Sequence, residues 1–185
     1  MSGLPPWPAF PRPPRPKEPL QVLTRAGTML RMAQQGLRNM SDPDREQVLL
    51  GSLSIAVFGR GVTSALQNLR HFDRPAFDNW YQPWLEEMNA DPLCRFFYKL
   101  RSDILKGISP MIGIVLASQG QSALSVGSVV IPDLPSPTMH RGRPIEDSSM
   151  LNLSRLYVAY LGEMFESAGS VVLEVQDRWD SSQQA

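Results

Sequence analysis

The sequence predicts an all-α protein, a four- to five-helix bundle with a small β-hairpin insertion and a disordered, proline-rich N-terminal tail. Three observations lead to this prediction. Long segments repeat apolar residues at three- and four-residue steps, the spacing of one helix face. Asp-Pro pairs at 42–43 and 91–92 are typical of helix starts, because aspartate caps and proline fits the first turn. Residues 1–19 hold eight of the 17 prolines.

The proline-rich head excludes a helix over residues 1–19, because proline removes backbone donors and fixes φ. We expect an extended tail there, partly in the polyproline II conformation. The rest of the 185-residue chain has the length of one ordinary domain. The sequence therefore predicts a single helical-bundle domain over 20–180 and a short tail over 181–185.

The first two helices are predicted over about 20–39 and from Asp42–Pro43 to about Phe72. Gly59 and Gly61 flank Arg60 within the second, which either weakens the helix or lets a neighbour pack closely. The first apolar stripe contains Leu23, Gly27, Leu30, Ala33 or Gln34, and Leu37, and the second contains Ile55, Phe58, Val62, Ala65, Leu66 and Leu69.

An aromatic connector follows, with a short helix predicted to begin near Pro83. Its aromatic residues are expected to form a packed plug rather than a base-stacking surface, because aromatic side chains dominate burial in any core. The second Asp-Pro pair then opens a third long helix, predicted to run through about Ile108. The four aromatic residues are Phe77, Trp80, Tyr81 and Trp84.

The C-terminal part combines apolar runs, a loop and a last helix. Two β-branched runs around "QGQ" predict a β-hairpin at about 111–131, and "PDLPSPTMHRGRP" predicts a loop. Residues 146–149 then start a final helix of about 30 residues. Its stripe at near-heptad spacing contains Leu153, Tyr157, Tyr160, Met164, Ala168, Val171 and Val175.

Composition narrows the classes of function. The net charge is zero, although residues 1–40 carry six basic groups and one acidic group and residues 146–185 carry two and seven. A neutral chain argues against avid, purely electrostatic nucleic-acid binding but leaves room for a local basic patch. The single cysteine, Cys94, excludes an internal disulfide and is expected to be buried and inert. No signal peptide or membrane span is expected, so we predict a cytoplasmic protein.

Arg101 is the candidate functional residue. On a helical wheel, the apolar side chains of the third long helix cover about half of the circumference, and Arg101 falls inside that arc. A guanidinium at such a position is expected to be partly buried and paired with a carboxylate of its own or a neighbouring helix, and the candidates include Asp103 and the acids of the last helix. We predict that it lines an anion-binding groove with Ser102 and Lys106.

The segment "FDNWYQPWLEEMNADPLCRFFYKLRSDILKGISP" resembles the HEPN-like superfamily of bacterial helical bundles, and the resemblance covers about 20–108. The active motif of that family is an arginine, a polar residue and, a few positions later, a histidine. Two copies of the motif meet across a dimer to form a metal-independent ribonuclease site. Arg101 matches the arginine and Ser102 the polar residue, but Lys106 stands at the histidine position. A protonated lysine is a poor general base, so the resemblance implies a catalytically weakened member.

The resulting hypothesis is a homodimeric protein without catalytic residues, cofactor or metal that binds RNA or a protein partner, in a toxin–antitoxin or defence setting. One alternative is a metal-independent ribonuclease in which Arg101 and Lys106 hold phosphate and His71 acts as a displaced base. The other is a structural or scaffold protein without a nucleic-acid role, whose proline-rich tail and long last helix recruit partners.

Overall fold

The computed structural model describes residues 15–105, 113–115, 128–130 and 136–183. In these ranges the chain forms five α-helices, a short 3₁₀ helix at Gln67–His71 and two antiparallel strand pairs, which confirms the predicted helical bundle with a β-hairpin insertion. The helices are α1 (Leu20–Met40), α2 (Arg45–Leu66), α3 (Arg74–Ala90), α4 (Pro92–Leu105) and α5 (Met150–Gln183), and the strands are β1 (Gly113–Val115), β2 (Ser128–Val130), β3 (Met139–His140) and β4 (Arg143–Pro144).

The predicted apolar stripes form one core, in which α5 packs against α1 and α2. Ala33 rather than Gln34 belongs to the α1 stripe, because Ala33 is buried and Gln34 is exposed. Of the predicted α5 stripe, Val171 alone is only partly buried. The largest fully buried side chains include Ile55, Leu66, Leu69, Phe97, Leu100, Leu153, Tyr160 and Met164.

Glycines let the backbones of α1 and α2 touch. A Cβ added to Gly36 would lie 2.7 Å from the carbonyl oxygen of Gly51, and a Cβ on Gly51 would lie 2.5 Å from that of Gly36. Gly59 similarly faces the ring of Tyr157, at 2.6 Å from an added Cβ. Of the two roles expected for the glycines beside Arg60, Gly59 therefore takes the second, close packing of a neighbour.

The predicted start of the second helix at Asp42–Pro43 is wrong by two residues. The Asp42 carboxylate accepts a hydrogen bond from the backbone N–H of Asp44 at 2.9 Å, which folds Asp42 and Pro43 into a turn. Asp44 is extended and caps α2 instead, because its carboxylate accepts from the N–H of Glu46 at 2.9 Å.

The predicted short helix at Pro83 is also wrong, because α3 begins at Arg74 and continues through Pro83 to Ala90. Asp73 caps this helix by accepting from the N–H of Ala76 at 2.9 Å. The turns before Pro83 are held in place because Phe77 and Tyr81 are buried and stack at 4.8 Å between ring centroids. With Trp80 and Trp84 partly buried against the same core, the predicted aromatic plug is confirmed.

The predicted hairpin at about 111–131 is confirmed, since β1 pairs with β2 in antiparallel register, Gly113 opposite Val130. The segment predicted as loop contains a second hairpin, β3–β4, with His140 opposite Arg143. Its two turn residues, Arg141 and Gly142, both have positive φ, 50° and 72°, as type I′ turns require. The loop prediction was wrong here because arginine is rare in such a turn.

The predicted start of α4 is confirmed, and α5 begins at Met150, directly after the predicted starting residues 146–149. The Asp91 carboxylate accepts from the N–H of Cys94 at 3.0 Å, which caps α4. Ser149 Oγ accepts from the N–H of Asn152 at 3.3 Å ahead of α5. The far end of α5 continues to Gln183, beyond the predicted domain boundary at residue 180. Residues 1–14 of the predicted proline-rich tail lie outside the described ranges.

One helix in the described ranges, Glu46–His71, is long and apolar enough to span a membrane. This helix comprises α2 and its 3₁₀ extension, and it contributes Ile55, Val62, Leu66 and Leu69 to the core of the bundle. Burial between helices therefore accounts for part of its apolar composition, since 44% of its apolar 18-residue window is buried.

Candidate nucleic-acid interface

Arg101 lies on α4 and is partly buried, as the helical wheel predicted. Burial raises the pKa of the Tyr157 hydroxyl, and the positive charges of Arg60 and Arg101 act in the opposite direction. Arg60 and Arg101, on different helices, therefore both lie close enough to Tyr157 for their charges to act on it.

The expected carboxylate partner of Arg101 does not occur among the residues that the structure describes. Asp103 pairs instead with Lys99, at 2.8 Å between Nζ and Oδ2, because the two lie one helical turn apart. Ser102 follows Arg101 on α4 and is half-buried. Lys106 lies outside the described residues, so the predicted groove of Arg101, Ser102 and Lys106 stays a prediction.

A cavity of about 160 Å³ lies between α2, α3 and α4 beside this region. Arg60 and Arg95 contribute cationic side chains to its lining, and Tyr98 contributes an aromatic ring. The Arg60 guanidinium donates to Thr63 Oγ1 and stands 5.9 Å from the centroid of the Tyr98 ring. Tyr98 is nevertheless 59% exposed, so the residue is accessible to a ligand.

Arg95, Tyr98 and Arg101 follow one another at three-residue steps on α4, so Tyr98 is a neighbour of both arginines, which themselves lie about 120° apart around the helix. Arg60 reaches the same region from α2. We call these four residues the arginine–tyrosine face. In the described part of the chain, none of its three arginines forms an ion pair with a carboxylate.

The sequence interpretation found Arg101 but missed the other members of this face. "RFFYKLR" contains a signal that could have shown two of them, because basic and aromatic residues alternate there at a helical step of three. No local signal connects Arg60 with α4, since the two are brought together only by the packing of α2 on α4.

His71, the displaced base of the ribonuclease alternative, is exposed at the end of the 3₁₀ helix. It lines a separate cleft between that helix and α3, and it does not line the cavity beside Arg60 and Tyr98. The other histidine, His140, lies in the β3–β4 hairpin, where its Nδ1 is 3.1 Å from Asp91 Oδ2.

A second polar cluster surrounds the buried carboxylate of Asp91. Its Oδ2 accepts from the N–H of Arg141 at 2.7 Å, in addition to its contact with His140. Burial raises the pKa of Asp91, but the hydrogen bonds from Arg141, Cys94 and His140 outweigh burial and hold it below the ordinary value. The cluster thus ties the hairpin to the start of α4.

The side chain of Arg141 completes this attachment. The Arg141 Nε lies 2.6 Å from Glu87 Oε1, and the Nη1 atom of the same guanidinium forms an ion pair with Glu163. The guanidinium also lies 5.0 Å from the centroid of the Tyr160 ring. Because both ends of the guanidinium are bound within the fold, we assign this cluster a structural role.

Cys94 is buried between the two regions, and burial together with the negative charge of Asp91 raises the pKa of its thiol. The expected burial of Cys94 is confirmed, and its expected lack of reactivity stays a prediction. In the ranges that the structure describes, no three histidine, cysteine, aspartate or glutamate side chains form a group that could hold a metal ion.

Comparisons of the chain with protein-family models, with curated proteins and with solved structures found no match. The HEPN-like resemblance therefore depends on the sequence layout and on the half-motif at Arg101 and Ser102.

Proposed function

We propose that this protein binds single-stranded RNA at the arginine–tyrosine face and does not cleave it. The observation that supports this function best is the arrangement of three arginines without a carboxylate partner, among the described residues, around an exposed tyrosine. The HEPN-like layout of the sequence favours the same ligand.

The chemistry of these side chains suits an unpaired strand. Guanidinium groups donate two hydrogen bonds at a time to phosphate oxygens, and unpaired guanidiniums keep their full attraction for an anion. An exposed aromatic ring stacks on an unpaired base for about 1–3 kcal/mol, largely independent of sequence. Tyr98 lies between Arg95 and Arg101 on one helix, so a base on its ring would have phosphates within reach on either side.

The absence of cleavage follows from the acid–base groups. The family motif needs a histidine where this chain has Lys106, and the remaining candidate, His71, lines a different cleft. Among the described residues, no histidine lines the cavity beside Arg60 and Tyr98, so no imidazole is placed to activate the 2′-hydroxyl of a nucleotide bound at that face. The metal-independent ribonuclease that uses Arg101 is the alternative, and RNA cleavage lost on substitution of Arg101 would favour it.

Fluorescence anisotropy with a labelled single-stranded RNA tests the proposal. Arg101→Ala is expected to weaken binding about tenfold and to lower the slope of log K against log salt by about 0.7, the loss of one phosphate contact. Tyr98→Ala is expected to weaken binding similarly without changing the slope. Arg155→Ala is the matched control, because Arg155 is an exposed arginine on α5 outside the face.

The RNA recovered from the same samples is expected to be intact on a denaturing gel. Absence of RNA binding at about 50 mM salt would refute the proposal and favour a protein partner or a scaffold role. Equal weakening by Arg155→Ala would show that binding is not confined to this face. The homodimer expected from the family resemblance stays a prediction, and light scattering of the full chain would test it.

A further inference from the structure

A second cleft, of about 520 Å³, lies between the 3₁₀ helix with the end of α2 on one side and α3 on the other. Its volume is in the range of pockets that hold small ligands. Three side-chain amides line it, those of Gln67, Asn68 and Gln82, together with His71, Tyr81 and Leu85. We call it the amide cleft.

The amide cleft presents hydrogen-bond acceptors. The Asn68 amide nitrogen donates to the carbonyl oxygens of Ser64 and Ala65, at 3.2 and 3.0 Å, and the Gln82 nitrogen donates to Glu86 Oε1 at 2.8 Å. Carbonyl and carboxylate oxygens only accept, so these contacts fix which end of each amide is the nitrogen. The oxygens of Asn68 and Gln82 accept no hydrogen bond from the part of the chain that is described.

The charges in the cleft do not favour a phosphate. Arg70 is the guanidinium in its lining, and it is already paired with Asp78, at 3.2 Å between Nε and Oδ1. Arg74 approaches the same carboxylate at 3.3 Å. A neutral, planar group with hydrogen-bond donors on its edge therefore fits the cleft better than an anion does.

The amide cleft adjoins the arginine–tyrosine face. Tyr81 and Leu85 line both the cleft and the cavity beside Arg60 and Tyr98. Arg60 lies at the cavity and Arg70 lies at the cleft. The two residues are ten positions apart on α2 and the 3₁₀ helix that directly follows it, which corresponds to about 15 Å at 1.5 Å per residue. A stacked strand that advances about 3.4 Å per nucleotide covers this distance in about four to five nucleotides.

We propose that the amide cleft receives one base of the strand bound at the arginine–tyrosine face and selects bases with an exocyclic amino group over uracil. This inference rests on the proposed RNA binding. Adenine and cytosine offer an amino donor to the free amide oxygens, whereas uracil places a carbonyl oxygen at the corresponding position. Two facing acceptors without a hydrogen between them leave a desolvated polar group unpaired, which disfavours uracil.

Anisotropy with labelled oligonucleotides of cytidine, adenosine and uridine tests this selectivity. We expect the cytidine and adenosine hexamers to bind at least about fivefold more tightly than the uridine hexamer. The corresponding trimers, too short to reach from the face into the cleft, are expected to lose this preference.

Asn68→Leu combined with Gln82→Leu removes both acceptors, and with them the reward for an amino donor and the penalty on uracil, so we expect it to bind the three hexamers equally. Gln82→Leu alone is a milder variant, because Gln82 is exposed and its substitution does not threaten folding. This single substitution is expected to reduce the preference for cytidine and adenosine over uridine without abolishing it. Gln34→Leu, an exposed glutamine on α1 outside both cavities, is the matched control and is expected to keep the full preference.

The outcomes separate this inference from the proposed function. Tight but equal binding of all three hexamers would overturn base selection and leave RNA binding in place. Cytidine monophosphate that binds as tightly as the cytidine hexamer would overturn the strand as the ligand and point to a free-nucleotide site. Failure of every oligonucleotide to bind would refute both proposals.

Discussion

The carboxylate of Asp91 is predicted to be the most important single side chain for attachment of the β3–β4 hairpin. It is buried, and it accepts from two backbone N–H groups almost fifty residues apart, those of Cys94 at 3.0 Å and Arg141 at 2.7 Å. Asp91→Ala removes the cap of α4 and leaves the Arg141 N–H and His140 without their acceptor. Loss of a cap costs about 1 kcal/mol, and a buried unpaired donor costs about 1–3 kcal/mol.

We therefore expect Asp91→Ala to lower the free energy of unfolding by about 2–4 kcal/mol. At about 2–4 °C per kcal/mol for a chain of this size, a loss of about 3 kcal/mol lowers Tm by about 6–12 °C. Urea denaturation followed by circular dichroism, with thermal melting in parallel, measures both quantities. Asp103→Ala is the matched control on α4, because the ion pair of Asp103 with the exposed Lys99 contributes about 1 kcal/mol or less.

The pH dependence provides an independent check. The folded-state pKa of Asp91 lies below its ordinary value of 3.8. The contribution of the ionised carboxylate to the free energy of unfolding is therefore complete at pH values above 3.8. The contribution is lost as the pH falls through the lower, folded-state pKa. Asp91→Asn cannot titrate and should show a shallower loss of stability below about pH 4 than the parent. If the free energy of unfolding of Asp91→Ala differed from that of the parent by less than about 0.5 kcal/mol, the role of this carboxylate as an anchor would be refuted.

Three further predictions concern packing and reactivity. Gly59→Ala should destabilise the fold by about 1–3 kcal/mol in urea titrations, because the new Cβ would meet the Tyr157 ring at 2.6 Å. Gly169→Ala is the control and should stabilise the fold by about 0.5–1 kcal/mol, because the space around Gly169 is open. Equal effects of the two substitutions would contradict the close packing at Gly59. Gly142→Ala should cost about 1–2 kcal/mol in the same titrations, since its φ of 72° strains any residue with a Cβ, and an unchanged midpoint would argue against the turn. Cys94 should react with a thiol reagent only at the rate of unfolding, and fast labelling in native buffer would contradict its burial.

Features that depend on neighbours within one or two helical turns could be predicted from the amino-acid sequence. The apolar stripe of α5 and the cap of α4 by Asp91 could be read directly, because side-chain spacing and capping act over three or four residues. The partial burial of Arg101 followed from the same periodicity. The resemblance to a known family, by contrast, supplied an expectation about function that the fold does not test.

Features in which distant segments meet could not be predicted from local sequence. The helix α3 passes through Pro83 because Phe77 and Tyr81 are buried in the core, and local propensity contains no information about that burial. The hairpin at Arg141 depends on a carboxylate 50 residues earlier in the chain. Arg60 likewise joins the α4 residues of the arginine–tyrosine face only when α2 packs beside α4. Long-range packing and hydrogen bonding outweigh local preferences of about 1 kcal/mol per residue, which is why these features could not be read from the sequence.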